Sequence, residues 1–154
     1  MSDLHCPARL YLARHGETEN GGLNGLGREQ ARELAESLRG ARIARIYTSG
    51  EASAVQTAEV VAPVLGVRVV VRDELEEPEI RAELELVADQ HRGEAVLAIS
   101  HGDAIRAGVT ALARNLSSSF PESRAVPSCG VVELEADADG WRVVSWCGKP
   151  VAAR

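Results

Sequence analysis

Two histidines of this sequence stand in the same local context. His15 lies in the segment Arg14–Gly16 and His101 lies in the segment Ser100–Gly102, so each is followed by a glycine. Each segment follows a short apolar run that is typical of a buried strand. Because the loops at the carboxyl ends of parallel strands form the ligand crevice of an open α/β sheet, we expect both imidazoles in one crevice.

Two imidazoles beside an arginine suit phosphoryl transfer. A phosphate monoester carries about −1.5 to −2 charges at neutral pH, so its site needs several fixed donors. A neutral imidazole can attack phosphorus and form a phosphohistidine that water later cleaves. The other histidine and Arg14 would stabilise charge on the phosphoryl oxygens, and a carboxylic acid would protonate the leaving oxygen. A zinc site is the main rival use of two histidines, but no third ligand has a recognisable metal spacing.

The elements that must position these residues alternate between strand and helix. Apolar runs predict strands, and helical spacing of apolar residues predicts helices between them. The predicted strands are 10–13, 43–47, 67–71, 95–99, 131–135 and 141–146, and the predicted helices are 24–38, 51–65, 79–92 and 104–116. A polar loop is expected at 117–128 and a hairpin turn at 137–140. This order predicts a single α/β domain over residues 1–154 with a largely parallel sheet.

Composition excludes several classes of function. The net charge of −6 argues against general affinity for nucleic acid or an anionic membrane. No apolar run reaches the roughly 18 residues of a membrane-spanning helix. The N-terminal residues carry Asp3 and no apolar core, which is unlike a secretory signal peptide. Three cysteines without paired spacing predict reduced thiols in a cytoplasmic protein. The sequence leaves the oligomeric state open.

The motifs LARHGETEN, QTA and SHG, in this order, resemble the histidine phosphatase superfamily, the phosphoglycerate-mutase-like proteins. The similarity spans Leu10 to about Arg106. It implies a three-layer α/β/α sandwich with a mostly parallel central sheet, and no metal or organic cofactor. It also implies that His15 is the phosphorylated nucleophile and that Arg14 and His101 are catalytic residues of the phosphate pocket. The expected substrate-binding residues are Gly16, Asn20, Ser53, Gly102 and Arg106.

One departure from the family pattern concerns the phosphate clamp. Family members usually carry a second arginine before A-x-Q-T-A, and Ser53 occupies that position here. A charge-assisted hydrogen bond contributes about 1.5–3 kcal/mol, so its loss predicts a weaker enzyme unless another cation replaces it. Arg106 is the nearest substitute by motif, and Arg81 is the alternative. The other interpretation is a degenerate member that only binds phosphate or a phosphoprotein.

A second departure concerns the acid and the loops around it. The family's L-x-E segment aligns with Leu75–Glu77, so Glu77 is the predicted acid, with Glu74 and Glu76 as close rivals. The insertions that cover small sugar phosphates in relatives are almost absent. This shortening resembles the branch that acts on phosphohistidine in proteins, and it disfavours a mutase. The sequence therefore predicts a metal-independent phosphatase acting on phosphomonoesters or protein phosphohistidine through phospho-His15.

Overall fold

The computed structural model describes residues 6–116 and 125–152. The strands, numbered in chain order, are β1 Ala8–Arg14, β2 Thr18–Glu19, β3 Gly22–Leu23, β4 Ile43–Thr48, β5 Val69–Val71, β6 Ala95–Ser100, β7 Val131–Asp137, β8 Gly140–Trp146 and β9 Lys149–Pro150. The helices are α1 Gly25–Ser37, α2 Ala52–Leu65, α3 Ile80–Gln90 and α4 Gly102–Leu112, and a 3₁₀ turn covers Arg39–Ala41. Within these described ranges, no helix is long and apolar enough to cross a membrane.

Seven strands form one sheet in the order β5-β4-β6-β1-β7-β8-β9. The pairs β5–β4, β4–β6 and β6–β1 are parallel, and β7, β8 and β9 extend the sheet with antiparallel pairs. Parallel strands β1 and β6 are direct neighbours, and Arg14 pairs with Ser100 at their shared carboxyl end. The register therefore delivers both histidine segments to one edge of the sheet.

Apolar side chains are buried on both faces of the sheet. One cluster joins α3 and α4 to the sheet through residues such as Leu84 and Ile105. The other joins α1 and α2 to the opposite face through residues such as Leu34 and Val61. Two cores separated by a sheet make three layers, so the predicted α/β/α fold with a mostly parallel central sheet is confirmed.

The observed elements differ from the predicted ones mainly at their ends. Helix α4 begins at Gly102, two residues earlier than predicted, and ends at Leu112. Strand β5 is limited to Val69–Val71, and the short pair β2–β3 was not predicted at all. The hairpin turn after β7 is confirmed by the pairing of Asp137 with Gly140. Most of the predicted loop 117–128 lies outside the described residues.

Candidate active site

The two histidines meet at the carboxyl edge of β1 and β6. The His15 amide donates a hydrogen bond to the Ser100 carbonyl over 3.2 Å, continuing the ladder between the two strands. The rings of His15 and His101 lie 5.3 Å apart at their centroids, with an interplanar angle of 64°. The prediction that both imidazoles share one crevice therefore agrees with the geometry.

The His15 ring is held in one tautomer. Its Nδ1 lies 2.8 Å from the Gly16 carbonyl oxygen. Because a carbonyl oxygen only accepts hydrogen bonds, Nδ1 must carry the proton and Nε2 keeps its lone pair in the neutral ring. Burial lowers the pKa of His15 below its ordinary value, and the nearby His101 and Arg14 act in the same direction against the opposing Gly16 hydrogen bond. The lowered pKa favours the neutral His15 imidazole at neutral pH, with the lone pair on Nε2.

The loop after His15 is fixed by contacts with α1 and α2. The buried Gly16 amide donates to the Thr57 hydroxyl over 3.0 Å, and that hydroxyl donates to the Ser53 carbonyl over 2.8 Å. A Cβ atom on Gly16 would lie 2.6 Å from the Gly27 carbonyl oxygen, so only glycine fits this close approach. Thr57, from the QTA motif, therefore supports the loop that carries the His15 acceptor.

A cavity of about 240 Å³ opens beside the two imidazoles. Its lining residues are Arg14, His15, His101, Gly102, Asp103, Arg106, Ala125 and Val126. Arg14 donates from Nη1 to the Val126 carbonyl over 2.9 Å, and its buried Nε has no hydrogen-bond partner among the described residues. Arg106 lines the same cavity and forms an ion pair with Asp103. The cavity is therefore lined by two arginines, two imidazoles and the Asp103 carboxylate that pairs with Arg106.

The acidic loop before α3 places one of its three candidate glutamates beside His101. Leu75 is fully buried, and its carbonyl accepts a hydrogen bond of 2.5 Å from the Ser100 hydroxyl. This contact ties the loop to the end of β6. Glu76 follows half-buried, with a carboxylate oxygen within 4.8 Å of a His101 ring nitrogen. Glu77, the predicted acid, and Glu74 are both exposed.

His101 has two further partners that the sequence did not indicate. Its Nε2 lies 3.2 Å from the Ser49 hydroxyl, and its Nδ1 lies 3.5 Å from the Glu51 carboxylate. Ser49 and Glu51 belong to the turn between β4 and α2. This turn is bonded to β6, because the Ser49 amide donates to the Ile99 carbonyl. The sequence signal that could have revealed them is a polar turn after a predicted parallel strand, because such turns line the ligand crevice.

The other predicted site residues lie further from the cavity. Asn20 is exposed in the tight turn between β2 and β3, with a left-handed φ of 56°. Ser53 is buried in the first turn of α2 and does not line the cavity. Arg81 is exposed at the start of α3. Of the two cations considered in place of the second arginine, the fold therefore brings Arg106 to the cavity.

Comparison of the sequence with known families identifies one that matches this chain. The sequence profile of the histidine phosphatase superfamily (branch 1) matches residues 10–81 and 79–148. No curated protein matches the sequence significantly.

Solved structures share the fold at low sequence identity. A phosphoglycerate mutase from Bacillus anthracis superposes with a TM-score of 0.81 at 17% identity, covering 96% of this chain and 95% of its own. A mycobacterial glucosyl-3-phosphoglycerate phosphatase gives 0.74 at 22%, covering 90% and 98%. The SixA protein of Agrobacterium tumefaciens, named as a candidate phosphohistidine phosphatase, gives 0.72 at 24%, covering 90% and 96%.

Proposed function

The chain belongs to the histidine phosphatase superfamily, and we propose that it is a metal-independent phosphatase that works through a phosphohistidine at His15. Its substrates in this proposal are phosphomonoesters or protein phosphohistidine. The observation that carries the proposal is the state of His15, whose Nδ1 is committed to the Gly16 carbonyl while burial keeps the ring neutral. The cytoplasmic location predicted from the cysteines remains part of the proposal.

The first step is attack by His15 Nε2 on phosphorus. The lone pair forms the N–P bond as the bond from phosphorus to the leaving oxygen breaks. The Gly16 carbonyl accepts a hydrogen bond from Nδ1–H, and that bond strengthens as the ring gains positive charge. The fixed ring orientation means that little reorganisation is required during the reaction.

The phosphoryl oxygens need positive charge, and the cavity supplies it from two sides. Arg14 offers its buried Nε, which a phosphate oxygen would satisfy, and Arg106 offers a second guanidinium. His101 supplies a third donor from its position beside the His15 ring. Preorganised donors of this kind stabilise transferring phosphoryl groups without reorganisation cost. Arg106 thus takes over the clamp that Ser53 cannot provide.

A carboxyl group must move the protons, and we assign this role to Glu76 instead of Glu77. Glu76 is the glutamate of its loop that reaches His101, whereas Glu77 is exposed. As the acid, Glu76 gives its proton to the leaving oxygen. As the carboxylate, it then takes a proton from the water that attacks the phosphoryl group, and His15 leaves as a neutral imidazole.

Turnover of p-nitrophenyl phosphate in the presence of EDTA tests this proposal. We expect release of p-nitrophenol by the wild type and loss of activity to the background rate in His15→Asn. His91 is the matched control, because it lies on the far end of α3 and bonds Tyr47 instead of lining the cavity. At assay temperatures below the melting temperature of the variant, His91→Asn should retain wild-type turnover. Undiminished turnover in His15→Asn would overturn the proposal.

A second candidate function is a degenerate module that only binds phosphorylated groups, and Ser53 is the residue that favours it. If the missing arginine limits the rate, Ser53→Arg should raise kcat/KM by about 10- to 100-fold. Ser53→Met adds comparable bulk without charge and controls for the buried position. If Arg106 already completes the pocket, the wild type is fully active, neither variant gains activity, and the degenerate interpretation fails.

A further inference from the structure

Three side chains from three separate segments converge beside the cavity. Glu51 precedes α2, Glu76 lies in the loop before α3, and His101 precedes α4. One ligand atom from each lies within 4.8 Å of the other two. We propose that these residues bind a divalent transition-metal ion of the zinc type, and that the ion inhibits the phosphatase by occupying His101 and Glu76. The inhibitory part rests on the proposed function, whereas the binding part does not.

The geometry suits a tetrahedral ion. Ligands held about 2.0–2.2 Å from zinc are separated from one another by roughly 3.3–3.6 Å. His101 Nδ1 and the Glu51 carboxylate oxygen lie 3.5 Å apart, within this range without movement. The Glu76 oxygen lies within 4.8 Å of the other two ligand atoms, so it requires an approach of at most about 1.5 Å, which a change of side-chain rotamer supplies. Imidazole nitrogen and carboxylate oxygen both bind zinc, and three protein ligands would leave a fourth position open.

The environment of His101 supports the same assignment. The Ser49 hydroxyl lies 3.2 Å from Nε2 and can accept its proton, and in that tautomer the Nδ1 lone pair faces Glu51 and can bind a metal ion. A lone pair and a carboxylate repel each other unless a proton or a metal ion lies between them. Among the described residues, neither Glu51 nor Glu76 forms an ion pair with a lysine or arginine. A divalent cation would therefore neutralise two carboxylates that pair with no lysine or arginine among the residues the structure describes.

The spacing of these ligands explains why the sequence did not reveal them. Zinc motifs are recognised by ligands a few residues apart, and here each ligand is separated from the next by a complete strand-and-helix segment. Two contacts with the end of β6 bring them together: the Ser49 amide donates to the Ile99 carbonyl, and the Ser100 hydroxyl donates to the Leu75 carbonyl. An ion at this position would hold the Glu76 carboxylate, so it would compete with the proton transfer assigned to Glu76.

Titration of the chelator-stripped protein with Co²⁺ tests the binding part directly. Tetrahedral Co²⁺ absorbs visible light, and displacement by Zn²⁺ gives the zinc affinity, so the readout is independent of turnover. Loss of an outer-sphere partner already costs about 10- to 100-fold in metal affinity, so removing a direct ligand should cost at least tenfold. We expect this loss in Glu51→Gln and in Glu76→Gln. Glu77→Gln, the exposed neighbour of Glu76, is the matched control and should bind Co²⁺ as the wild type does.

Turnover measurements with added Zn²⁺ test the inhibitory part. We expect Zn²⁺ to inhibit the wild type and Glu77→Gln, EDTA to restore activity, and Glu51→Gln to be at least tenfold less sensitive. Absence of Co²⁺ binding up to millimolar concentration overturns the site, as does unchanged affinity in both Glu51→Gln and Glu76→Gln. If Co²⁺ binds at this site and Zn²⁺ leaves an active enzyme uninhibited, the inhibitory part is wrong. If the protein has no phosphatase activity, the proposed function fails and the Co²⁺ titration still decides the site.

Discussion

The Thr57 hydroxyl is predicted to hold the loop after His15 in place. It accepts the hydrogen bond from the Gly16 amide over 3.0 Å, and Thr57 is completely buried. Thr57→Val keeps the shape of the side chain and removes the acceptor. The Gly16 N–H would then be buried without a partner, which costs about 1–3 kcal/mol. Loss of the bond to the Ser53 carbonyl costs less free energy, because this carbonyl stays in the first turn of α2.

Two measurements determine the free energy lost in Thr57→Val. The midpoint of urea unfolding should fall with an unchanged m-value, giving a loss of about 1–3 kcal/mol in the free energy of unfolding. Native-state hydrogen exchange of the Gly16 amide should accelerate by roughly 5- to 140-fold, which is the same energy expressed as a rate. Turnover should also fall, because the Gly16 carbonyl is the acceptor that orients His15.

Thr57→Ser is the matched control for the hydroxyl group. It keeps the acceptor and loses one methyl group, at a cost of about 1 kcal/mol. Its Gly16 amide should exchange nearly as slowly as in the wild type. Equal protection of the Gly16 amide in Thr57→Val and wild type would refute the reasoning, and so would equal acceleration in Thr57→Val and Thr57→Ser.

Three further predictions follow from named residues. Glu76→Gln should lower kcat on a phosphomonoester with a poor leaving group by about 10²- to 10⁴-fold while Glu77→Gln retains activity; the reverse order would restore Glu77 as the acid. Because burial lowers the pKa of His15, an NMR titration assigned with His15→Asn should place its midpoint below about 6.5, and a midpoint at or above that value would contradict the neutral nucleophile. The unfolded chain then binds this proton first, so the contribution of His15 to stability should decline as the pH falls from about 6.5 toward the folded pKa, and His15→Asn should remove that part of the decline. Burial raises the pKa of Cys129 to about 11, so iodoacetamide at pH 8 should label it roughly two orders of magnitude more slowly in the native protein than in urea; equal rates would contradict its burial.

The meeting of His15 and His101 at one edge of the sheet was predictable because each histidine follows a strand. The apolar runs before His15 and His101 identify two strands, and the crevice rule for parallel sheets places the following residues together. The order of the motifs then indicated the family, which the sequence profile confirms. These signals are local in the sequence, so they can be recognised without knowing how the rest of the chain folds.

The glutamate that lies beside His101 was harder to predict because three candidates, Glu74, Glu76 and Glu77, flank Leu75. Motif spacing favoured Glu77, but side-chain direction depends on how Leu75 is buried and on the Ser100 hydroxyl that holds its carbonyl. Both are long-range contacts that spacing does not encode. Glu51 was missed for the same reason, since only the pairing of β4 with β6 brings it to His101.

Trapping the phosphorylated protein tests the central claim most directly. The wild type is mixed briefly with a phosphomonoester, quenched in alkali to preserve phosphohistidine, and digested for mass spectrometry. The tautomer fixed by Gly16 predicts one phosphoryl group on the His15 peptide, attached at Nε2, and none on the peptide that contains His101. Phosphate release without any phosphoryl group on His15 in the wild type, or a phosphoryl group on His101 in its place, would contradict the account.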